Sequence, residues 1–253
     1  MNILFTICAR AGSKGVKGKN TRDFCGKPLL TYTVAAYDLF CQCYGSQYDN
    51  IYLAVNTDSE LLLNQMNELG VKYIPVRREE NLAGDVVGKK DVIKDTLIKC
   101  EEQTEKVFDT VIDLDLTSPL RTVEDIKGTL DCLREDQNAD IAFSVTNSRR
   151  SPYFNMVAQK EDGYYRTVVE TKYTTRQQAP VCYDMNASIY AYERKYLLSD
   201  NVFERKAVIW NMQDTGVLDI DSEEDLELME VIAKFLFENR EKYREISEWG
   251  RNE

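Results

Sequence analysis

Along the chain, short unbroken apolar runs alternate with longer stretches in which apolar residues recur every three or four positions. The run Ile3 to Ile7 is followed by a helical pattern from about Pro28 to Phe40, and the run Ile51 to Val55 by one from about Ser59 to Leu69. Val71 to Pro75 then precedes a pattern from about Lys89 to Cys100, Val107 to Leu114 precedes one near Val123 to Leu133, and Ile141 to Val145 makes a further strand. Unbroken runs suit strands covered on both faces, whereas the longer period suits one buried face of a helix. The repetition predicts an α/β fold with a parallel sheet and right-handed crossovers. Ligands in such folds gather beyond the carboxyl ends of the strands. Residues 8 to 20, Asn56-Thr57-Asp58 and Asp113-Leu114-Asp115 all fall there.

From about Arg149 to Tyr183 the alternation lapses into a segment rich in Tyr, Phe, Arg and Gln, with a polar turn at Glu161-Asp162-Gly163. Short antiparallel strands are expected at Val157 to Gln159 and Tyr165 to Val169, and Tyr153, Phe154, Tyr164 and Tyr165 would be poorly buried on one chain. Strands this short do not bury themselves. The segment 149–183 therefore reads either as a flap that packs on a second copy of the chain or as a surface hairpin without a partner. Regular patterns resume at Ala187 to Tyr192 and Ala207 to Asn211 and end in a helix from Glu223 to Phe237 and beyond. No internal repeat or low-complexity linker interrupts them, so residues 1–253 read as a single domain with 149–183 inserted.

Hydrophobic residues make up 43% and charged residues 30%, as in ordinary globular chains, and no apolar run approaches the roughly 20 residues of a membrane span. A protein without a membrane segment is expected. Met1-Asn2-Ile3-Leu4 enters the first strand without a basic n-region or a small-residue cleavage site, which points to the cytoplasm. Seven cysteines lack any C-x-x-C pair and read as reduced thiols. The chain contains no histidine. That excludes a Ser-His-Asp triad, a Cys-His pair and His-liganded metals, and it makes Cys8 a small strand-end residue rather than a nucleophile. What remains is carboxylate, Lys, Arg and Tyr chemistry with oxygen-bound hard cations. A net charge of -11 argues against a nucleic-acid surface but leaves room for a local anion site.

Such a site is written at Ile7-Cys8-Ala9-Arg10-Ala11-Gly12-Ser13-Lys14-Gly15-Val16-Lys17-Gly18-Lys19-Asn20. Glycines 12, 15 and 18 let a backbone approach a polyanion, and four cations gather in an acidic chain. The spacing fits neither the dinucleotide fingerprint nor the P-loop. Arg10 and Lys14 suit a triphosphate clamp, the first as a fork onto two oxygens and the second as a mobile point charge, whereas Lys17 reads as solvated. The plainer reading is a basic surface loop with turn glycines. Near the other end, Val217-Leu218-Asp219-Ile220-Asp221 reads as a strand that would set two carboxylates on one face, a spacing suited to magnesium. Equally, Asp221 reads as the N-cap of a helix beginning around Ser222-Glu223.

Five blocks taken together resemble the cytidylyltransferases that make CMP-activated nonulosonic acids, the CMP-sialic acid synthetase family. They are the first loop with Gly26-Lys27-Pro28-Leu29, then Asn56-Thr57-Asp58, then Leu116-Thr117-Ser118-Pro119-Leu120-Arg121, then Arg176-Gln177 to Asn186-Ala187-Ser188-Ile189-Tyr190, and Leu218-Asp219-Ile220-Asp221. The resemblance runs from residue 3 to about 230. Asp113-Leu114-Asp115, Pro152-Tyr153-Phe154-Asn155 and Cys182-Tyr183-Asp184-Met185-Asn186 are most similar to enzymes acting on legionaminic acid.

The resemblance implies a three-layer α/β/α nucleotidyltransferase fold with a dimerisation insert. It implies transfer of CMP from CTP to the anomeric hydroxyl of a legionaminic or N-acetylneuraminic type acid, with release of pyrophosphate. Arg10, Lys14 and Asp221 are the implied catalytic residues, and Asp219 with Asp221 the implied Mg2+ ligands. One of these carboxylates, or a metal-bound hydroxide beside it, would take the sugar's proton. Nucleotide contacts fall to Ala9, Arg10, Gly12, Ser13, Lys14, Lys19 and Asn20, with Arg78 near the base and 84–90, including Asp85, Lys89 and Lys90, near the ribose. Sugar contacts fall to Asp115, Thr117, Ser118, Arg176, Gln177 and Asn186. The insert would reach the partner's site, giving a homodimer with shared active sites. Asp115 replaces a glutamine and Phe154 a lysine of the sialic acid enzymes, changes that disfavour N-acetylneuraminic acid itself unless Arg149 or Arg150 restores the charge. On the residues alone, Arg78 equally reads as a solvated loop cation, and Arg121 as structural. A cytidylyltransferase for another acid sugar, such as 3-deoxy-manno-octulosonate, and a non-catalytic nucleotide-binding relative are the alternatives.

Overall fold

The computed structural model describes the chain except residues 13–15, 85–86, 201–204, 214, 216–218 and 251–253. Strand β1 (Asn2–Cys8) leads through a two-residue hairpin, β2 (Asp23–Phe24) and β3 (Lys27–Pro28), into helix α1 (Leu29–Tyr44). The alternation continues with β4 (Asn50–Thr57), α2 (Glu60–Glu68), β5 (Ile74–Arg77), α3 (Lys89–Thr104), β6 (Thr110–Leu114), α4 (Val123–Glu135) and β7 (Ile141–Asn147). The insert holds β8 (Val157–Gln159) and β9 (Tyr165–Thr167). After it come β10 (Tyr183–Glu193), α5 (Arg194–Leu198), β11 (Ala207–Asn211), α6 (Glu223–Asn239) and α7 (Glu241–Glu248).

Seven strands form one sheet in the order β11-β7-β10-β6-β1-β4-β5. The expected parallel pairing holds for β1 with β4 and β6, for β4 with β5 and for β11 with β7. It fails at β10, which runs antiparallel to both β6 and β7, so the sheet is mixed. The insert, rather than a crossover helix, precedes β10, and the strand therefore enters from the opposite end. A register shift between Met185 and Tyr190, with Ala187 at φ 51°, bends it as it enters. Two strands are shorter than their apolar runs. β5 begins at Ile74 because only Ile74 to Arg77 find partners on β4, and β6 begins at Thr110 because Val107 is left exposed ahead of the sheet.

Alternation along the central strands divides the core. Ile3, Phe5 and Ile7 of β1, with Ile112 and Leu114 of β6, pack beneath α1, α4, α6 and α7, while Leu4 and Val111 point to the opposite face beneath α3 and α5. Three layers result, and the carboxyl ends of β1, β4 and β6 open on one edge.

Candidate active site

The loop after β1 is stitched to the end of β4. Ala9 N donates to Asn56 O at 3.0 Å, and Ala11 N donates to the Asp58 carboxylate at 2.6 Å. Asn20 Nδ2 then closes the loop on Arg10 O at 2.9 Å. Val16 is fully buried and anchors the turn, and Gly18 takes a left-handed φ of 64° that would strain a residue with a Cβ. Lys17 is exposed, as read from the sequence. The Arg10 guanidinium reaches Ala83 O at 3.3 Å, linking this loop to the segment before α3. Gly12 is exposed, while Ser13 and Lys14 lie outside the described residues. Because the Ala9 amide is committed to Asn56, this residue has no free N–H for a base.

Arg78 is not a solvated cation. It is 8% exposed, and its Nε and Nη2 donate to the side chain and backbone of Asn56 at 2.8 and 3.2 Å. Asn56 in turn donates to Thr96 of α3. The Asn-Thr-Asp block thus scaffolds the first loop, with Arg78 bracing it from below.

At the end of β6, Asp113 is fully buried, accepts from Thr6 Oγ1 at 2.8 Å and lies 2.7 Å from Lys89 Nζ. Lys89 also reaches Asp115 Oδ2 at 2.6 Å, and the other Asp115 oxygen accepts from Thr117 N and Thr117 Oγ1 at 2.9 and 2.8 Å. Burial alone would discharge Lys89 and Asp115, but each holds the other charged. Asp115 stays well below the usual carboxylate range, and Lys89 well above the usual lysine value. Cys8 beside them is driven far above an ordinary thiol by burial and by Asp113, so no thiolate forms at neutral pH. Arg121 is structural: it is fully buried and donates to the backbone carbonyls of Asp115 and Ser118, locking the turn. Burial pushes its guanidinium down to about 10, still charged at neutral pH.

The two acidic residues of the Asp-Ile-Asp block reach this wall from the far end of the chain. Residues 219–221 are not in a strand, as the sequence reading expected; Ile220 N hangs from Thr117 O at 3.0 Å. Nor does Asp221 cap α6, since Ser222 does so, accepting from Asp225 N in a reciprocal capping box. With that role taken, the Asp221 carboxylate is left 2.9 Å from Lys19 Nζ. Burial and the adjacent Asp221 push the Asp219 carboxyl up to about 6, against the pull of Lys19. Two crowded carboxylates with no third acidic, Cys or His ligand gathered among the described residues fit magnesium, which takes one or two carboxylates and completes its shell with water and phosphate oxygens.

A cavity of about 320 Å³ collects Arg10, Lys19, Asn20, Arg78, Asp115, Thr117 and Asp219. The sequence reading missed the depth of Lys89, which also lines it. A cation in the first turn of a helix opposes the helix dipole, and that was the available signal. Ser118 and Asn186 lie apart, on a pinhole cavity, where Asn186 is 5% exposed and accepts from Ser144 Oγ at 2.7 Å. Arg176 and Gln177 sit on an exposed 3₁₀ turn of the insert, outside the cavity of their own chain. Gln178 holds that turn by accepting from Thr174 N at 2.8 Å.

Residues 4–243 match the cytidylyltransferase family. The chain is 38% identical over 231 residues to the CMP-N,N'-diacetyllegionaminic acid synthase of Campylobacter jejuni subsp. jejuni, covering 91% of this chain and 94% of that one. It is 37% identical over 236 residues to the post-translational flagellin modification protein B of Campylobacter coli, covering 92% and 95%. Among solved structures, a CMP:2-keto-3-deoxy-manno-octonic acid synthetase complexed with CTP shares the fold, with a TM-score of 0.63 at 18% identity, over 93% of this chain and 99% of that one.

Proposed function

Since the chain belongs to the cytidylyltransferase family, we propose that it transfers CMP from CTP to the anomeric hydroxyl of a nonulosonic acid, of the legionaminic or N-acetylneuraminic type, and releases pyrophosphate. The observation that carries this reading is the single cavity in which the cations Arg10 and Lys19 meet the carboxylates Asp115 and Asp219 at the carboxyl ends of β1 and β6. Similarity to the Campylobacter legionaminic acid synthase supports the acid-sugar half.

In such a transfer the sugar hydroxyl attacks the α-phosphate in line with the departing pyrophosphate. The protein's work is alignment and the neutralisation of developing charge. Arg10 forks onto phosphate oxygens, with Lys14 from the same loop, and Lys19 shifts from Asp221 toward the nucleotide. Asp219 and Asp221 would hold magnesium, which when bound would supply positive charge to the phosphate oxygens. The same carboxylate pair stands ready to accept the proton of the attacking hydroxyl. Asp115 and Thr117 form the sugar side. Arg176 and Gln177, which do not line the cavity of their own chain, serve the site of a second copy, which makes the working unit a homodimer. A cytoplasmic location belongs to this proposal and rests on the similarity to a CMP-sugar synthase; among the described residues no helix is long and apolar enough to cross a membrane.

Pyrophosphate release with CTP and legionaminic, N-acetylneuraminic, pseudaminic and 3-deoxy-manno-octulosonic acids tests the reading. Turnover is expected with a nonulosonic acid and magnesium. Turnover with 3-deoxy-manno-octulosonate alone would move the chain to the other acid-sugar branch, and silence with all four would defeat the assignment.

A further inference from the structure

Lys89 is the first residue of α3, where the helix dipole disfavours a cation. Its placement there is compensated by two carboxylates, Asp113 at 2.7 Å and Asp115 at 2.6 Å. The three are not equally enclosed. Asp113 is completely buried, whereas the side chains of Lys89 and Asp115 are 34% and 24% exposed, and both line the cavity with Thr117 and Asp219.

Hydrogen-bond capacity shows what is left over. An ammonium has three N–H donors: one bonds Asp115 Oδ2, and a second side faces Asp113 Oδ2 at 2.7 Å as an ion pair without a formed hydrogen bond. Among the described residues no third oxygen meets Lys89 Nζ, and the Tyr190 ring flanks it with its centroid 5.5 Å away. Asp115 Oδ1 is filled by the two Thr117 donors, while Oδ2 accepts only from Lys89 and keeps one lone pair. One donor and one acceptor are thus offered side by side, on atoms 2.6 Å apart.

A hydroxyl group matches that pair, because its oxygen accepts and its hydrogen donates at one point. A trans amide does not, since its N–H and C=O diverge. A second ammonium would meet Lys89 as a like charge, and a carboxylate would meet Asp115 as one. We propose that Lys89 and Asp115 form a hydroxyl clamp in the candidate active site, with Lys89 a specificity-determining residue for one substrate hydroxyl. The clamp rests on the cytidylyltransferase reading, which brings two hydroxyl-bearing groups to this wall, the acid sugar and the ribose of CTP.

Calorimetry on the purified chain reads the clamp without turnover. CTP is compared with 2'-deoxy-CTP and 3'-deoxy-CTP. Nonulosonic acids lacking one hydroxyl at a time are compared with their parent, in the presence of CTP and with magnesium withheld. In the wild type, one deoxy ligand should bind at least ~10-fold more weakly than its parent, because, once bound, it covers this donor and acceptor without pairing them. Lys89→Met and Asp115→Asn should each bring that ratio below about threefold, since the variant no longer distinguishes the hydroxyl. The ligand that shows the effect identifies ribose or sugar as its source. A merely structural role would weaken all ligands together and leave the ratio at its wild-type value, overturning the proposal, as would a wild type that penalises no deoxy ligand. Should Lys89→Met fail to fold with Asp113 unpaired, Asp115→Asn keeps the Lys89–Asp113 pair and decides the question alone. Absence of pyrophosphate release in the wild type bears on the activity, whereas a constant ratio bears on the clamp.

Discussion

Asp221 is 70% exposed at its side chain and, with Ser222 capping α6, is held among the described residues by its ion pair with Lys19 and its contact with Asp219. Surface pairs of this kind contribute about 0–1 kcal/mol, so Asp221→Ala should leave the melting temperature nearly unchanged while nearly abolishing magnesium-dependent pyrophosphate release. Full activity of that variant in chelator-treated buffer would remove the carboxylate pair from the chemistry. Arg10→Ala should lower kcat/KM by about 2–3 kcal/mol in free-energy terms, the scale of losing a charged contact made in a transition state. Wild-type efficiency would reduce the loop to a scaffold. Both residues were legible because their spacing is local: the glycine-cation loop and the Asp-x-Asp pair announce themselves within a few positions. The ion pairs of Lys89 were not, because its partners Asp113 and Asp115 lie in a different element and meet it only through the packing of α3 against the end of β6. The choice between the two readings of Arg78 was open for the same reason, since nothing nearby in sequence shows that Asn56 receives its guanidinium, which excludes the solvated cation.

At the scale of elements, period and length identified the α/β alternation, but strand direction depends on what lies between strands, and no periodicity shows that β10 re-enters the sheet reversed. Helix α4 carries another feature hidden from its sequence. A Cβ added at Gly128 would meet the Trp210 ring of β11 at 2.5 Å, and that ring is pinned by its Nε1 bond to Asp125 at 3.0 Å. Alanine favours a helix by up to about 1 kcal/mol over glycine, yet the clash should win, so Gly128→Ala is expected to cost about 1–3 kcal/mol. A urea midpoint lowered at unchanged slope would show it, and a raised midpoint would mean that Trp210 moves aside freely. Between α3 and α5, Glu101 receives Arg194 at 2.8 and 2.9 Å and the Phe108 amide at 3.0 Å. Burial pushes the Glu101 carboxyl up, but these donors prevail and lower it below its ordinary value. Its contribution is therefore complete above the usual glutamate pKa of about 4.3 and fades as pH falls through the lowered folded value. In urea titrations, the stability gap between wild type and Glu101→Gln should be constant above about pH 5 and shrink as the pH falls below the usual glutamate value of about 4.3. A gap independent of pH would mean that the pair contributes no ionic stabilisation.

For the whole molecule, the insert is the element whose form was legible in the sequence, and the proposed homodimer gives it a purpose. The structure bears out β8 as expected and shortens β9 to three residues, and among the described residues the two pair with each other alone in a two-stranded sheet. Tyr164 and Tyr165 are 71% and 67% exposed, whereas Tyr153 and Phe154 are half-buried, Tyr153 packing edge-on against Tyr173 at 5.8 Å. Aromatic and aliphatic exposure of this kind, together with Val157 and Val181, suits an interface between copies. A second copy packed on the insert would also bring a use for Arg176, which its own chain leaves outside the cavity. Mixing subunits tests both at once. Chains carrying Arg176→Ala and chains carrying Asp221→Ala should each be nearly inactive as homodimers. In a mixed dimer one site receives an intact Asp221 from one chain and an intact Arg176 from the other. Re-associating equal amounts should form about half mixed dimers with one good site of two, and so recover roughly a quarter of wild-type activity if exchange is random. A fully active monomer, or a dimer without such recovery, would return Arg176 to its own chain and leave the insert as a surface hairpin.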